Sequence, residues 1–437
     1  MGFQQGLSGV GAAAKQLDVI GNNVANSSTV GFKQSRAEFA DMFASSYYGV
    51  ASTQNGIGST VQAVAQQMNQ GNITITNNQM DLAISGNGFF ITNTPTGTGY
   101  TRNGQFQVNK DGYIVNNGDK LMGWGVVKDS NPVRIREGEL QELRIQTSAI
   151  APLASDGGTD VTPANSKKIT LTTNLDSRQT VPALPFSVSD ATTYNHSTSA
   201  TLYDSLGNPL TLTTYYRKTA DNQWDVYARI NNPNMPAAGS SSADPNPVML
   251  NSGSALSLSF NPNGTLAAPS DSTLSFGSYP SIVGASPLNV TLDIGSGVEG
   301  TTQNGKTFAV RDLNQIGYAS AELTGVQIDK TGVVKARYTN GQTKDIGQVV
   351  LANFKNTQGL QSVGANRWTE TLASGSPTLN NPGSSNVGYV QSGAVEDSNV
   401  DLTFELVNMI TAQRYYQANA QTIKVQDAVM QTLINLR

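Results

Sequence analysis

Cysteine is absent from this 437-residue chain, and histidine occurs once. The missing cysteines exclude structural disulfides, thiolate chemistry and Cys-ligated zinc or iron–sulfur sites. A lone His196 cannot build a His-based metal cluster. Charge is scarce too: Asp, Glu, Lys and Arg make up 13% of residues, and the formal net charge is −4. Such a chain has no basic surplus to hold nucleic acid or an anionic membrane. No stretch approaches the roughly 20 apolar residues a membrane helix needs, so membrane insertion is not expected. The opening MGFQQGLSGVGAAAKQLDVIGNN has neither the basic region nor the apolar run of a Sec signal peptide. A cytoplasmic protein is expected, or one exported without a cleaved signal. Hydrophobic residues reach only 38%, and uncharged polar residues with 43 glycines fill the difference. That composition suits turn-rich β-domains better than charge-driven disorder. The length allows two to four domains.

The two ends break the β-like pattern. Phe3, Leu7, Val10, Ala14, Leu17, Gly21 and Val24 recur at alternating spacings of four and three, and Ile20 widens the stripe. The same spacing picks out Leu402, Leu406, Met409, Gln413, Tyr416, Ala420, Ile423, Asp427, Met430 and Ile434, with Ile410 beside them. Helices are predicted from about Phe3 to Ala25 and from about Asp401 to Leu436. Ser398 followed by Asp401 reads as a capping box. Neither amphipathic helix is stable alone. Leu7, Val10 and Leu17 are expected to couple with Leu406, Met409 and Ile423. Side-chain charge sums to zero in each segment: Lys15 and Asp18 in the first; Asp401, Glu405 and Asp427 against Arg414, Lys424 and Arg437 in the second. Neutrality suits helices crowded among identical copies, whereas an intramolecular hairpin that ties the ends together remains the simpler reading.

Between the ends, the pattern alternates every two residues. Residues 27–70 and 390–399 read as polar connector, with Phe39, Phe43, Tyr47 and Tyr48 scattered through the first part. Leu82–Ser85, Phe89–Thr92, Phe106–Val108, Tyr113–Val115 and Leu121–Val127 read as strands. So do Val326–Asp329, Val333–Tyr338 and Ile346–Phe354. They suggest one β-domain split over 71–148 and 302–389. Thirteen of the 17 prolines fall between 149 and 301, which marks an inserted second β-domain. The expected fold is therefore mainly β with α-helical termini that pair as a core, a split β-domain in the middle and a second β-domain inserted within it.

No constellation favours catalysis, and no catalytic residue, cofactor or metal is expected. His196 stands in a polar run and reads as a solvated loop or strand residue. Gly86-Asn-Gly88 lacks the following helix of a phosphate loop and reads as a hairpin turn. Lys110-Asp-Gly112 and Asp329-Lys-Thr-Gly332 lack the ligand series of a calcium loop and read as turns. Tyr215, Tyr216, Trp224 and Tyr227 would suit either a carbohydrate-binding platform or core packing.

Leu17-Asp-Val-Ile-Gly-Asn-Asn-Val-Ala-Asn26, followed by Thr29-Val-Gly-Phe-Lys33, resembles the N-terminal signature of the bacterial flagellar rod, hook and hook-associated family. Ser398-Asn-Val-Asp-Leu402 with Glu405, Met409-Ile410 and Gln413-Arg-Tyr-Tyr-Gln-Ala-Asn-Ala420 resembles its C-terminal signature. The positions carried over are Asn22, Asn23, Asn26, Thr29, Gly31, Phe32 and Lys33, then Asn399, Asp401, Gln413, Arg414, Tyr416, Gln417, Ala418 and Asn419. Rod members lack a large inner insertion, so 149–301 points toward the hook-forming members; a distal rod or junction component is the alternative. The resemblance implies a structural subunit, exported through the flagellar type III apparatus without a cleaved signal. Copies would polymerise into a hollow curved tube that serves as a universal joint. The ends, 1–26 and 400–437, would form its core. Partners would be other copies, with distal rod, cap and hook–filament junction proteins at the tube's ends. It also implies no nucleic-acid partner.

Overall fold

The computed structural model describes residues 2–42, 56–126, 135–146, 148–157, 169–232, 248–279, 284–384 and 386–435. Phe43, Tyr47, Tyr48, Val127, Leu436 and Arg437, which the sequence reading used, lie outside these residues. Helix α1 spans Gly2–Ala25 and helix α2 spans Leu402–Asn435. They pack on each other. The cap of α2 is Asp401, not Ser398: its Oδ1 accepts from the backbone N–H of Thr403 at 2.9 Å and Phe404 at 3.1 Å. Asp401 immediately precedes the first helical residue, where a side-chain acceptor reaches the orphan amides. The Ser398 hydroxyl lies outside the helix and takes the Val400 N–H instead.

The N-terminal connector is more regular than its polarity implies. Strands Ser35–Met42 and Gly58–Gln66 pair antiparallel, with a register shift at Glu38/Phe39, and lie against α1. The C-terminal connector is also strand: Tyr389–Ser392 pairs with Leu82–Ser85, and Ala394–Glu396 with Ile73–Ile75.

A 13-stranded sheet system interleaves strands from both sides of the insertion. Strand Thr343–Val349 pairs with Asp119–Val126, Leu351–Asn353 with Phe89–Thr94, and Arg367–Thr369 with Gly97–Thr101. Leu82, Ile84, Phe90, Phe106, Leu121, Val334, Leu351 and Val390 form its main apolar core. A second core is aromatic: Phe89, Tyr100, Phe354 and Trp368 meet edge to face. The Asp329 turn closes a hairpin, its Oδ1 accepting from the N–H of Thr331 and of Val333, each at 3.0 Å. Gly86-Asn-Gly88 is not a hairpin turn. The strands it joins pair with different partners, so it carries the chain from one sheet to another.

The insertion holds two sheets. One contains His196–Tyr203, Pro209–Ala220, Gln223–Asn231 and Leu256–Phe260; the other is built around Ile169–Asp176. Trp224, Leu212, Ile230 and Leu258 from the first share one buried cluster with Leu171, Phe276, Val290 and Leu292 from the second. Strands Thr302–Asn304 and Ala309–Asn314 both pair with Ile169–Asp176. Residues 302–314 therefore belong to the insertion's sheet rather than the split one, because the proline-rich stretch ends before the sheet does. Tyr216 and Trp224 are buried and Tyr227 stacks under Phe186 at 3.8 Å, so these aromatics pack and do not form an open platform. His196 is half-buried rather than fully solvated. It opens a strand, stacks on Phe308 at 4.6 Å, and its buried Nε2 has no partner among the described residues. Burial lowers its pKa, and the Asp176 carboxylate opposes that. The chain enters and leaves the insertion side by side, through backbone bridges Ile150↔Ala321 and Leu153↔Tyr318.

Candidate assembly site: the helix pair and its anchorage

The stripe that joins α1 to α2 is not the one with the largest side chains. On α1 the buried positions are Gly6, Ala13, Val19, Ile20 and Asn23, with Val10, Leu17 and Val24 half-buried. On α2 they are Glu405 and Ala412, with Met409, Asn419, Ala420 and Ile423 half-buried. Small residues let the helices approach closely. A Cβ on Gly6 would lie 2.9 Å from Cγ1 of Ile423, and one on Gly9 2.7 Å from the Asn419 amide. On α1 this seam runs one position, about 100°, from the predicted stripe.

Consequently, Leu7 and Leu406 do not couple across the helix pair. Leu7 is 56% and Leu406 44% exposed. Phe3, Leu402, Ile410, Tyr416, Met430 and Ile434 are also exposed, as are Phe404, Val407, Tyr415, Val425 and Val429. Ile423 lies against Gly6 of α1; Val10, Leu17, Val24 and Met409 are half-buried and Ile20 is buried. Gln413, Arg414, Gln417, Ala418 and Asp427 are exposed, so the polar breaks in the predicted stripe stand on the open side of α2. The helices thus carry further apolar side chains that no other described residue covers.

Where the helices meet the sheet, the contacts become polar and buried. The Asn23 side chain, in the last turn of α1, donates to the Ser35 carbonyl at 2.8 Å and accepts from the Ser35 N–H at 2.9 Å. Its Nδ2 also reaches Glu405 Oε1 at 3.4 Å, and Gln34 Nε2 donates to the same oxygen. No donor among the described residues reaches Glu405 Oε2, although the side chain is buried. Asn399 accepts the Gln34 N–H at 2.7 Å and donates to the Gln67 carbonyl at 2.8 Å. Asn22 and Asn26 finish α1: Asn26 Nδ2 donates to the Asn22 carbonyl, and Asn26 Oδ1 accepts from Thr29 Oγ1.

A charged triad lies below this network. Lys33 Nζ donates to Glu396 Oε1 at 2.6 Å and to the Asn69 carbonyl at 2.7 Å. Arg102 Nη1 donates to Glu396 Oε2 at 2.8 Å, and its Nη2 to the Gly86 carbonyl at 2.9 Å. The Gly71 N–H adds a third donor to the carboxylate at 2.9 Å. Side chains of Lys33 and Glu396 are wholly buried, and that of Arg102 is 4% exposed. Burial alone would raise the Glu396 pKa; the charges of Arg102 and Lys33 and the hydrogen bonds outweigh it and hold the carboxyl below its ordinary range. Burial is also the chief influence on Lys33, whose pKa is lowered despite the attraction of Glu396. Gly31 has φ +71°, a half-buried Phe32 follows it, and its N–H donates to the Glu396 carbonyl at 2.8 Å.

Of the motif positions, the structure gathers Asn23, Gly31, Lys33 and Asn399 around the triad and makes Asp401 the cap of α2. Arg102 and Glu396 were missed in the sequence. Arg102 stands alone in an uncharged stretch and Glu396 sits beside Asp397, a pairing that reads as solvated polar chain, so neither announced a buried partner.

Four family models match the chain. They are "Flagella basal body rod protein" over residues 3–33, "Flagellar hook protein FlgE/F/G D1 domain" over 83–151, "Flagellar basal body protein FlaE D2 domain" over 174–318 and "Flagellar basal body rod FlgEFG protein C-terminal" over 391–436. The chain is 40% identical to the Flagellar hook protein FlgE of Salmonella typhimurium over 440 residues, with all of both chains covered. It is 39% identical to that of Escherichia coli, again with both chains covered in full. With that of Borreliella burgdorferi it shares 30% identity, over 99% of this chain and 98% of the relative. Among solved structures, the Helicobacter pylori flagellar hook protein FlgE2 aligns with TM-score 0.52 and 13% identity. It covers 74% of this chain and 100% of that one, a likeness of fold alone.

Proposed function

The chain belongs to the flagellar hook protein family, and we propose that the uncovered apolar face of its terminal helices is the surface through which its copies assemble. The protein is a structural subunit of the bacterial flagellar hook and not an enzyme. It self-assembles into the curved tube that works as a universal joint, passing motor torque to the filament. In this reading α1 and α2 form the innermost layer, the split sheet the middle one and the insertion the outside. Copies at the tube's ends meet distal rod, cap and junction proteins, and the chain reaches its place through the flagellar type III export apparatus. Family membership and the two terminal signatures support these finer assignments.

One observation carries the assembly reading. Phe3, Leu7, Phe404, Val407, Ile410 and Met430 are each more than half exposed on helices that carry few charges. A patch of that kind marks an interaction surface. A second copy is the natural cover, because helices with zero summed charge stack without mutual repulsion.

Leu7→Asp and Leu406→Asp test the assignment. Both side chains are exposed in the single chain, so the variants keep the subunit's β-structure by circular dichroism. Tubes disappear in electron micrographs and from sedimentation. Tubes of ordinary length from either variant overturn the assignment.

A further inference from the structure

Glu396 lies 363 residues from Lys33 and 294 from Arg102. The triad therefore joins three parts of the chain: an N-terminal arm (residues 31–35), a C-terminal arm (residues 394–399) and the split sheet. We propose that these three side chains form a latch that makes the seating of the two arms mutually conditional. Neither arm keeps its place on the sheet without the other.

The argument is one of charge and space. With the C-terminal arm away, Lys33 and Arg102 would face each other as buried cations with no anion between them, and removing one member of a buried ion cluster strongly destabilises what is left. With the N-terminal arm away, Glu396 would lose Lys33, and its backbone carbonyl would lose the Gly31 N–H. Asn399 repeats the arrangement, its side chain holding the Gln34 N–H on one arm and the Gln67 carbonyl behind it. The N-terminal arm also presses on the segment that carries Arg102. A Cβ on Gly31 would sit 2.6 Å from the Asn103 nitrogen and 2.7 Å from the Arg102 carbonyl carbon. Arg102 is held independently of either arm, by the Gly86 carbonyl and the face of Phe89 at 5.3 Å. The sheet thus supplies the fixed member, and each arm completes the seat of the other. An incoming copy then joins the tube with both ends seated, a consequence that rests on the assembly reading; the latch itself does not.

Amide hydrogen exchange on the full-length free subunit tests it. Glu396→Gln speeds exchange of the Gly31 and Gln34 amides, on the opposite arm, by about tenfold or more. Lys33→Met speeds exchange of the Asp397 amide, which bonds the Asn72 carbonyl. Lys33→Arg keeps most of the protection. Strand 211–217 of the insertion exchanges as in the wild type and reports that the subunit is folded. Should Glu396→Gln fail to fold, Lys33→Met carries the comparison, since it leaves the Arg102–Glu396 pair intact. Loosening confined to the substituted arm, or free exchange of both arms in the wild type, overturns the latch. Leu406→Asp separates the two readings: it stops tubes and leaves arm protection unchanged.

Discussion

Gly11→Ala probes the assembled and unassembled states in opposite directions. Gly11 shares an exposed stripe of α1 with Phe3 and Leu7, spaced by fours. In the single chain a Cβ there meets nothing within 4 Å. Alanine is the better helix former by about 1 kcal/mol in a helix interior. The free subunit should gain about that much, read as a higher midpoint for loss of helical circular dichroism. In the tube the same methyl group enters a contact between copies. Overpacking of this sort costs about 1–3 kcal/mol. At about 1.4 kcal/mol per tenfold, the critical concentration for assembly rises roughly 5- to 150-fold. Gly6→Ala is the internal control. Its Cβ would press on Ile423, a β-branched side chain with little freedom to move aside, so this variant loses stability in the free subunit already. Assembly of Gly11→Ala at the wild-type concentration would refute burial of the Phe3–Leu7 face between copies. A Gly6→Ala subunit as stable as Gly11→Ala would refute the glycine-lined seam.

Two further outcomes follow from single groups. His196 has its pKa lowered by burial, so the neutral form is favoured in the folded insertion and the unfolded chain binds the proton more readily. Its stabilising contribution is present above the unfolded pKa of about 6.5 and is lost as pH falls toward and through the folded value. The melting temperature should drop between about pH 7.5 and 5.5, a window above the range where Glu396 titrates, and His196→Phe should flatten that slope. Asp401→Ala removes the cap that holds the Thr403 and Phe404 amides, and should cost α2 about 1 kcal/mol by thermal circular dichroism of the subunit.

The helices were legible because their apolar spacing is regular, but the phase of their contact was not. Hydropathy follows Phe3, Leu7 and Leu406, whereas the chain pairs through Gly6, Gly9 and Ala13, whose small size gives no hydropathy signal. Close approach is a property of volume, and it shows only once the partner is in place. The same limit hid the polar anchorage. Lys33 and Asn23 stood inside a recognisable motif, yet nothing local announced that Glu396 and Arg102 complete a buried triad with Lys33. Turns such as Asp329–Gly332 were readable because their chemistry is local. Gly86–Gly88 misled because identical turn residues serve a hairpin and a change of sheet equally well. Polarity likewise disguised the strands Ser35–Met42 and Gly58–Gln66, which lie on a helix rather than on an apolar core.

The paired bridges Ile150↔Ala321 and Leu153↔Tyr318 have an evolutionary consequence. Because the insertion begins and ends at adjacent points, its two attachment strands act as a socket. A module of different size can be exchanged there while the register of the split sheet and the position of the chain ends stay unchanged. An engineer could graft a foreign domain with neighbouring termini at the same point.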